Sequence, residues 1–425
     1  MTKIHISNGH IIDPANNIDQ LGSVYIANGQ ILSGNEPPSG FTADFTIDAI
    51  DNIVCPGFID LNARLREPGQ TYKGTLLSET KAAASAGITS ICLPPDTSPV
   101  IDSQAVVELI HDKSEKAGYS QVYPVGALTY KLAGEELSSM AALKQAGCIA
   151  VSNAMAPFAN LLVLRRAMEY ASSHDLLVMY QPNEPSLSNM GCAHEGTFAT
   201  RYGLPGIPYA AESTAVAQCL ELVELTGCRL HFSQISCKRS AIKIQQAKKY
   251  GLAVSADVAI HQLHITENDI EPFDSVYHVL PPFRTDKDKQ HLRNSLAQGT
   301  IDVICSDHQP HDLDAKLGAF PETEPGISSL ETLLPLMLRL VKENEINLSQ
   351  GISLLTQNPA NILKIQSGAL TPGFSADICI FNPSTNWQVN DENWKSAGKN
   401  TPFWGGIFEG RVMHTIQAGK IIYSL

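Results

Sequence analysis

The sequence predicts an α/β fold: a (β/α)8 TIM-type barrel over residues 56–364, with a small β-sandwich-like domain built from residues 1–55 and 365–425. Three observations carry that expectation. Eight apolar, strand-length runs alternate with helical segments through the middle of the chain, the pattern of parallel strands joined by helical crossovers. Both ends instead carry short runs of alternating apolar residues between Gly and Asn, as strands between turns do. The 425 residues suffice for one large barrel and a smaller domain, each with its own core.

Over the first 55 residues, Ser7-Asn-Gly9, Ala27-Asn-Gly29 and the stretch 48–52 interrupt runs such as Val24-Tyr-Ile26 and Ile53-Val-Cys55. The first barrel strand is the apolar run before Asn62. Helix 76–86 follows on its Ala-rich composition, then strand 88–93. The alternation continues with helix 103–117 and strand 121–127, helix 138–146 and strand 148–152, and helix 160–173 and strand 176–181. It closes with helix 208–226 and strand 228–235, helix 238–250 and strand 252–259, and helix 286–298 and strand 301–306. Glycine-bounded runs at 368–381 and 410–423 supply the far half of the β domain. In such a barrel the chemistry belongs at the C-terminal strand ends.

Composition narrows the function classes. Hydrophobic residues are 43% and charged residues 17%, and no run of ~20 apolar residues could span a bilayer. The N-terminus lacks the basic, apolar and small-residue regions of a secretory signal. Nine cysteines occur as singles without a C-x-x-C pair, several inside apolar runs (Cys92, Cys148, Cys228, Cys305, Cys379), so buried thiols in a cytoplasmic protein are expected. A formal charge of −13 disfavours nucleic acid or anionic membrane as partners.

The most informative stretch runs from Val54 to Gly69: Val-Cys-Pro-Gly-Phe-Ile-Asp-Leu-Asn-Ala-Arg-Leu-Arg-Glu-Pro-Gly. Asp60, Asn62, Arg64 and Arg66 are spaced by two, so on a strand they would share one face. This stretch resembles the first barrel strand of the dihydroorotases, zinc amidohydrolases of pyrimidine biosynthesis, whose members also split a β domain between their termini. The resemblance implies a His-x-His metal pair at positions 62 and 64. Here those positions hold Asn62 and Arg64, and a guanidinium cannot ligate a cation.

The resemblance extends to later strand ends, and so do the departures. Leu93-Pro-Pro-Asp-Thr-Ser-Pro99 matches a substrate-binding loop but puts Asp96 where an Asn would help hold a carboxylate, a repulsive exchange. Asn153 and Ala154 stand in the acidic segment that implies a bridging metal ligand. Gln181 and Gln234 occupy the places of two ligand histidines, and Leu280 that of a pyrimidine-facing Asn. Strand eight keeps its motif in Ser306-Asp-His-Gln-Pro-His311, with Asp307 at the ligand and general-base position. Arg66 and His311 are the retained carboxylate contacts that the resemblance implies. His231, His261 and His264 sit at the wrong parity or on a loop to replace lost ligands, and His231 is read as core packing. The other histidines, among them His194 and His278, are read as surface or capping residues.

A buried Asp307 needs a partner. Arg64 is expected to take the dication's place as its counter-charge, with Asn62, Asn153, Gln181 and Gln234 as a neutral hydrogen-bonded lining. No zinc or other cofactor is expected. The resemblance implies most directly a pseudoenzyme that assembles and sustains the aspartate carbamoyltransferase catalytic chain in a mixed oligomer, and that forms a homodimer alone. Two alternatives are a metal-free cyclic amide hydrolase using Asp307 as base, and a sensor in which Arg66 and His311 bind a carboxylate. The exposed loops 184–208 and 312–328 are the expected contact surfaces.

Overall fold

The computed structural model describes residues 2–270 and 273–425. Eight barrel strands, Phe58–Asp60, Ile88–Leu93, Gln121–Ala127, Ala150–Ser152, Leu177–Tyr180, Leu230–Phe232, Val254–Ala259 and Val303–Cys305, are referred to here as one to eight. Each runs parallel to the next in that order. Helices Leu76–Ser85, Gln104–Ala117, Met140–Ala146, Leu161–Ser173, Tyr209–Thr226, Lys238–Lys249 and Asp286–Ala297 cross between them, as the alternation predicts. Local chemistry fixes several starts: Thr75 and Thr285 form capping boxes, and the Asn160 side chain accepts from the N–H groups of Leu162 and Val163. Strands one and eight meet just beyond their ends, where Arg64 N donates to His308 O at 2.8 Å, and the barrel closes there.

Within the barrel, alternate residues divide between two cores. Ile59, Leu61, Val125, Leu177, Met179 and Val303 pack in one cluster, while Ile91, Val178, Phe232, Val258 and Ile304 pack in another with residues of the surrounding helices. Three further helices, Leu333–Lys342, Leu348–Leu355 and Gln357–Leu363, lie where the sequence reading assigns none. The last sends Ala360 and Leu363 into the first cluster. Gly57 is required by close approach, because a Cβ there would overlap the Thr89 side chain.

Both chain ends build one eight-stranded sheet. Ile4–Asp13, Ile18–Ala27, Gln30–Gly34, Phe45–Asp48 and Ile53–Pro56 come from the start, and Ile378–Gln388, Ile407–Gln417 and Lys420–Ser424 from the end. They join where Ile53–Pro56 runs antiparallel to Ile378–Gln388. The sheet curls until Ile31 N donates to Phe374 O at 3.0 Å, and Ile4, Ile6, Val24, Ile31, Ile378 and Ile416 meet inside it. Its sandwich-like core thus comes from one curled sheet. All nine cysteines are buried and free, and no helix among the described residues is long and apolar enough to cross a membrane.

Candidate functional site

Just past the C-terminal ends of four barrel strands, a residue other than glycine adopts a left-handed backbone: Arg66 (φ 64°), Ala154 (48°), Gln234 (51°) and Asp307 (48°). Such conformations cost on the order of 1–3 kcal/mol each and persist only where the surroundings over-determine them. They also turn the chain abruptly, so counting by alternation fails beyond the strands. Strand one ends at Asp60, and Asp60, Asn62, Arg64 and Arg66 do not share a strand face as expected. Asp60 instead accepts from Ser306 N at 3.0 Å and from Ser306 Oγ, tying strand one to the end of strand eight.

Asp307 is the centre. Its Oδ1 accepts from Asn62 Nδ2 at 2.8 Å and from Gln309 Nε2 at 3.1 Å. Arg64 Nη1 lies 3.6 Å from the same oxygen, while Arg64 Nε donates to Asp96 Oδ2 at 2.7 Å. The guanidinium therefore bridges two carboxylates, with the tighter contact to Asp96. Arg64 thus faces Asp307 as expected but is shared with Asp96, and one expectation is corrected: Asp96 is paired with Arg64 rather than left to repel an anion. Burial disfavours the charge on Arg64, but the two carboxylates outweigh it and hold it protonated. Burial pushes Asp307 up from 3.8 to about 7 against the pull of Arg64, and raises Asp60 to about 6.

The expected amide lining is only partly assembled. Asn153 turns away: its Oδ1 accepts from Thr129 Oγ1 at 2.7 Å and its Nδ2 donates to Ala156 O at 3.0 Å. Ser152 and Ala154 face the central cavity in its stead. Gln181 reaches Leu280 O at 3.5 Å, a marginal bond. Gln234 lines the cavity, but its side-chain nitrogen is buried without a partner. Arg66 donates from Nε to Pro310 O at 2.9 Å, and its Nη2 is 3.1 Å from His311 Nε2. Burial and Arg64 lower Arg66 to about 10, and burial with Arg66 lowers His311 to about 2, so that ring is neutral. Glu324 reaches this pair as well, 3.6 Å from His311 Nδ1 and bonded to Lys73 at 2.5 Å.

Several histidines depart from the sequence reading. His261, read as misplaced, points its Nε2 to within 4.0 Å of Asp307 Oδ2, and burial lowers it to about 3. Its place directly after strand seven was the available signal. His231 is more than packing, since its ring bonds Ser255 Oγ and Asp257 Oδ2, both at 2.8 Å. Asp257 went unread, although it is the one acid inside the strand Val254–Ala259. His264 bonds Leu336 O at 3.0 Å. His194 and His278 are buried beside Arg284 and Thr323, not on the surface. His308 bridges Glu79 Oε2 at 2.9 Å and Ser329 N, anchoring the segment after strand eight.

The residues present do not suit a zinc dication. Asn62 directs its amide nitrogen, a donor, at Asp307, and Arg64 holds a fixed positive charge 3.6 Å from that carboxylate. Asp307 and neutral His261 would supply at most two ligands where zinc takes three or four protein ligands. Among the described residues, no group of three His, Cys, Asp or Glu is disposed to hold a metal ion.

The raised Asp307 has a stability consequence. Its folded value lies above its ordinary one, so it binds a proton more tightly folded than unfolded. The contribution is present in acid and lost as pH rises from about 4 to about 7. Asp307→Asn removes that ionisation. We expect the variant to match the parent near pH 4 and to exceed it at pH 8 by on the order of 3 kcal/mol, read by urea denaturation at both values. A variant no more stable at pH 8 would contradict the burial argument.

The family described as "Dihydro-orotase-like" matches residues 51–240. Among full-length relatives, a "Dihydroorotase-like protein" of Pseudomonas putida is 44% identical over 421 residues, covering 99% of each chain. One of the same description from Pseudomonas aeruginosa is 43% identical with the same coverage. A "Dihydroorotase" of Syntrophotalea carbinolica is 40% identical over 423 residues, covering 100% of this chain and 99% of its own. Among solved structures, the L-hydantoinase (dihydropyrimidinase) of Arthrobacter aurescens superposes with a TM-score of 0.88 at 21% identity, covering 100% of this chain and 96% of its own. At that identity the likeness concerns the fold alone.

Proposed function

This chain belongs to the dihydroorotase-like family, and we propose that within it the protein is a non-catalytic member whose barrel serves as a scaffold for the aspartate carbamoyltransferase catalytic chain. The observation that carries this reading is Arg64. Its guanidinium, bridging Asp96 and Asp307, occupies with a fixed charge the neighbourhood where a hydrolase of this family would need an exchangeable Lewis acid. Loss of ligands with retention of the whole scaffold fits a role that depends on shape. The protein would be a homodimer alone and join a mixed oligomer with its partner. It would work in the cytoplasm, where nine unpaired thiols remain reduced.

One observation favours a second reading, a metal-free cyclic amide hydrolase: at about 7, Asp307 is poised for general-base work. Yet Asn62 and Gln309 already donate to it, and without a Lewis acid the carbonyl loses its largest stabilising term. A carboxylate sensor is less supported, because Arg66 and His311 are engaged by Pro310, Pro325 and Glu324 of the protein itself. Purified protein is expected to hold no stoichiometric zinc and to leave dihydroorotate unhydrolysed with added metal. Asn62→His with Arg64→His should stay inactive, since Gln181 and Gln234 still withhold ligands. Tight zinc with turnover in either protein would overturn the non-catalytic reading. The scaffold role is tested by co-expression with the transcarbamoylase and measurement of particle size.

A further inference from the structure

Between the ends of strands five and six lies a cleft of about 110 Å3, room for a compact molecule only. Its walls are mostly apolar and include Met155, Met190, Leu280, Pro281 and Pro282. Two ionic side chains also line it, and both are committed to the protein. Arg284 donates to Ser236 Oγ at 3.1 Å and to Ile207 O at 2.8 Å, and lies 3.9 Å from Glu212. Glu212 accepts from the N–H groups of Ser236 and Cys237. The cleft thus presents no free charge to an occupant.

One buried polar group in the wall, shared with the central cavity, is uncommitted. Gln234 is 3% exposed, and its side-chain nitrogen has no hydrogen-bond partner. Its position is built in, because Gln234 N donates to Asp257 Oδ1 at 2.6 Å and its backbone is held left-handed. A buried N–H without an acceptor is unfavourable and calls for an explanation, and an acceptor delivered from the cleft supplies one.

We propose that this cleft binds a compact, uncharged molecule whose carbonyl oxygen accepts from Gln234 and whose apolar face packs on Leu280, Pro281 and Met155. Anions are disfavoured, since the cationic group of the cleft, Arg284, is already paired within the protein. The inference is independent of the scaffold role, and either can fail alone.

Benzamide and benzoate test it, being alike in shape and different in charge. Titrated into the full-length protein by calorimetry, benzamide is expected to bind saturably and benzoate at least about tenfold more weakly. Gln234→Met, which keeps the volume and removes the donor, should weaken benzamide about tenfold and raise the Tm, because the unsatisfied donor is gone. Met190→Glu provides a second variant at a 96% exposed position; it should weaken benzamide with the Tm unchanged. Absence of saturable benzamide binding, benzoate binding as tight as benzamide, or benzamide affinity unaffected by Gln234→Met would each overturn the proposal.

Discussion

Arg64→Leu is expected to destabilise the folded protein by about 3 kcal/mol at pH 8 and by clearly less at pH 5. Removing one partner of a buried pair typically costs ~3–5 kcal/mol, and two features put this case at the low end. The Asp96 side chain is 31% exposed, so water recovers part of its charge. Asp307, already raised to about 7, takes a proton rather than remain an uncompensated anion, and that escape is easier in acid. The cost should therefore grow with pH. Adding Asp307→Asn to Arg64→Leu should restore much of the loss at pH 8 and little at pH 5, and the double-mutant cycle reads the coupling directly. Loss below about 0.5 kcal/mol, within the usual range for surface changes, would mean that the guanidinium is not the counter-charge of this site.

The second large effect concerns assembly. If the barrel acts by its shape, co-expression with aspartate carbamoyltransferase should give a mixed particle by light scattering. Asp307→Asn should leave both the particle and its transcarbamoylase turnover nearly unchanged, because no proton transfer is asked of that carboxylate. Gly57→Val should abolish the particle. The added side chain would occupy the space of Thr89 between strands one and two, and overpacking a barrel core at backbone level leaves nowhere to relax. A transcarbamoylase that assembles and turns over equally well without this chain would end the scaffold proposal.

Strand positions were legible because each is an apolar run bounded by turn residues, and all eight fall within a few residues of the predicted ones. What failed were directions at the strand ends. Asn153 was misread one residue before left-handed Ala154, and the face of strand one was extended to left-handed Arg66. Alternation presumes extended backbone, and nothing in an Arg, Ala or Gln announces that it will be forced out of it. The pairing of Arg64 with Asp307 followed from the resemblance, which sets both at metal-ligand positions, together with their opposite charge. Its stronger bond to Asp96 required knowing how closely the loop after strand two approaches, which is a property of tertiary structure. His261 was set aside for lying on a loop, although loops after barrel strands are where such residues are found.

The curled terminal sheet also bears on how the chain comes off the ribosome. Ile53–Pro56 pairs with Ile378–Gln388, and Lys420–Ser424 forms the last edge of the same sheet, so although the first five strands can pair among themselves, the strand Ile53–Pro56 must wait through the synthesis of more than three hundred residues for its other neighbour. At ~5–20 residues per second that is a wait of tens of seconds. Meanwhile Ile4, Ile6 and Ile11 can cluster with Val24, Ile26 and Ile31, but the share of the core that Ile378, Ile380 and Ile416 supply is missing. Contacts of such high sequence separation form late, and the barrel between them has time to fold first. The nascent chain thus carries a partly built sheet through the synthesis of the barrel, and the three strands from 378 onward complete its core last.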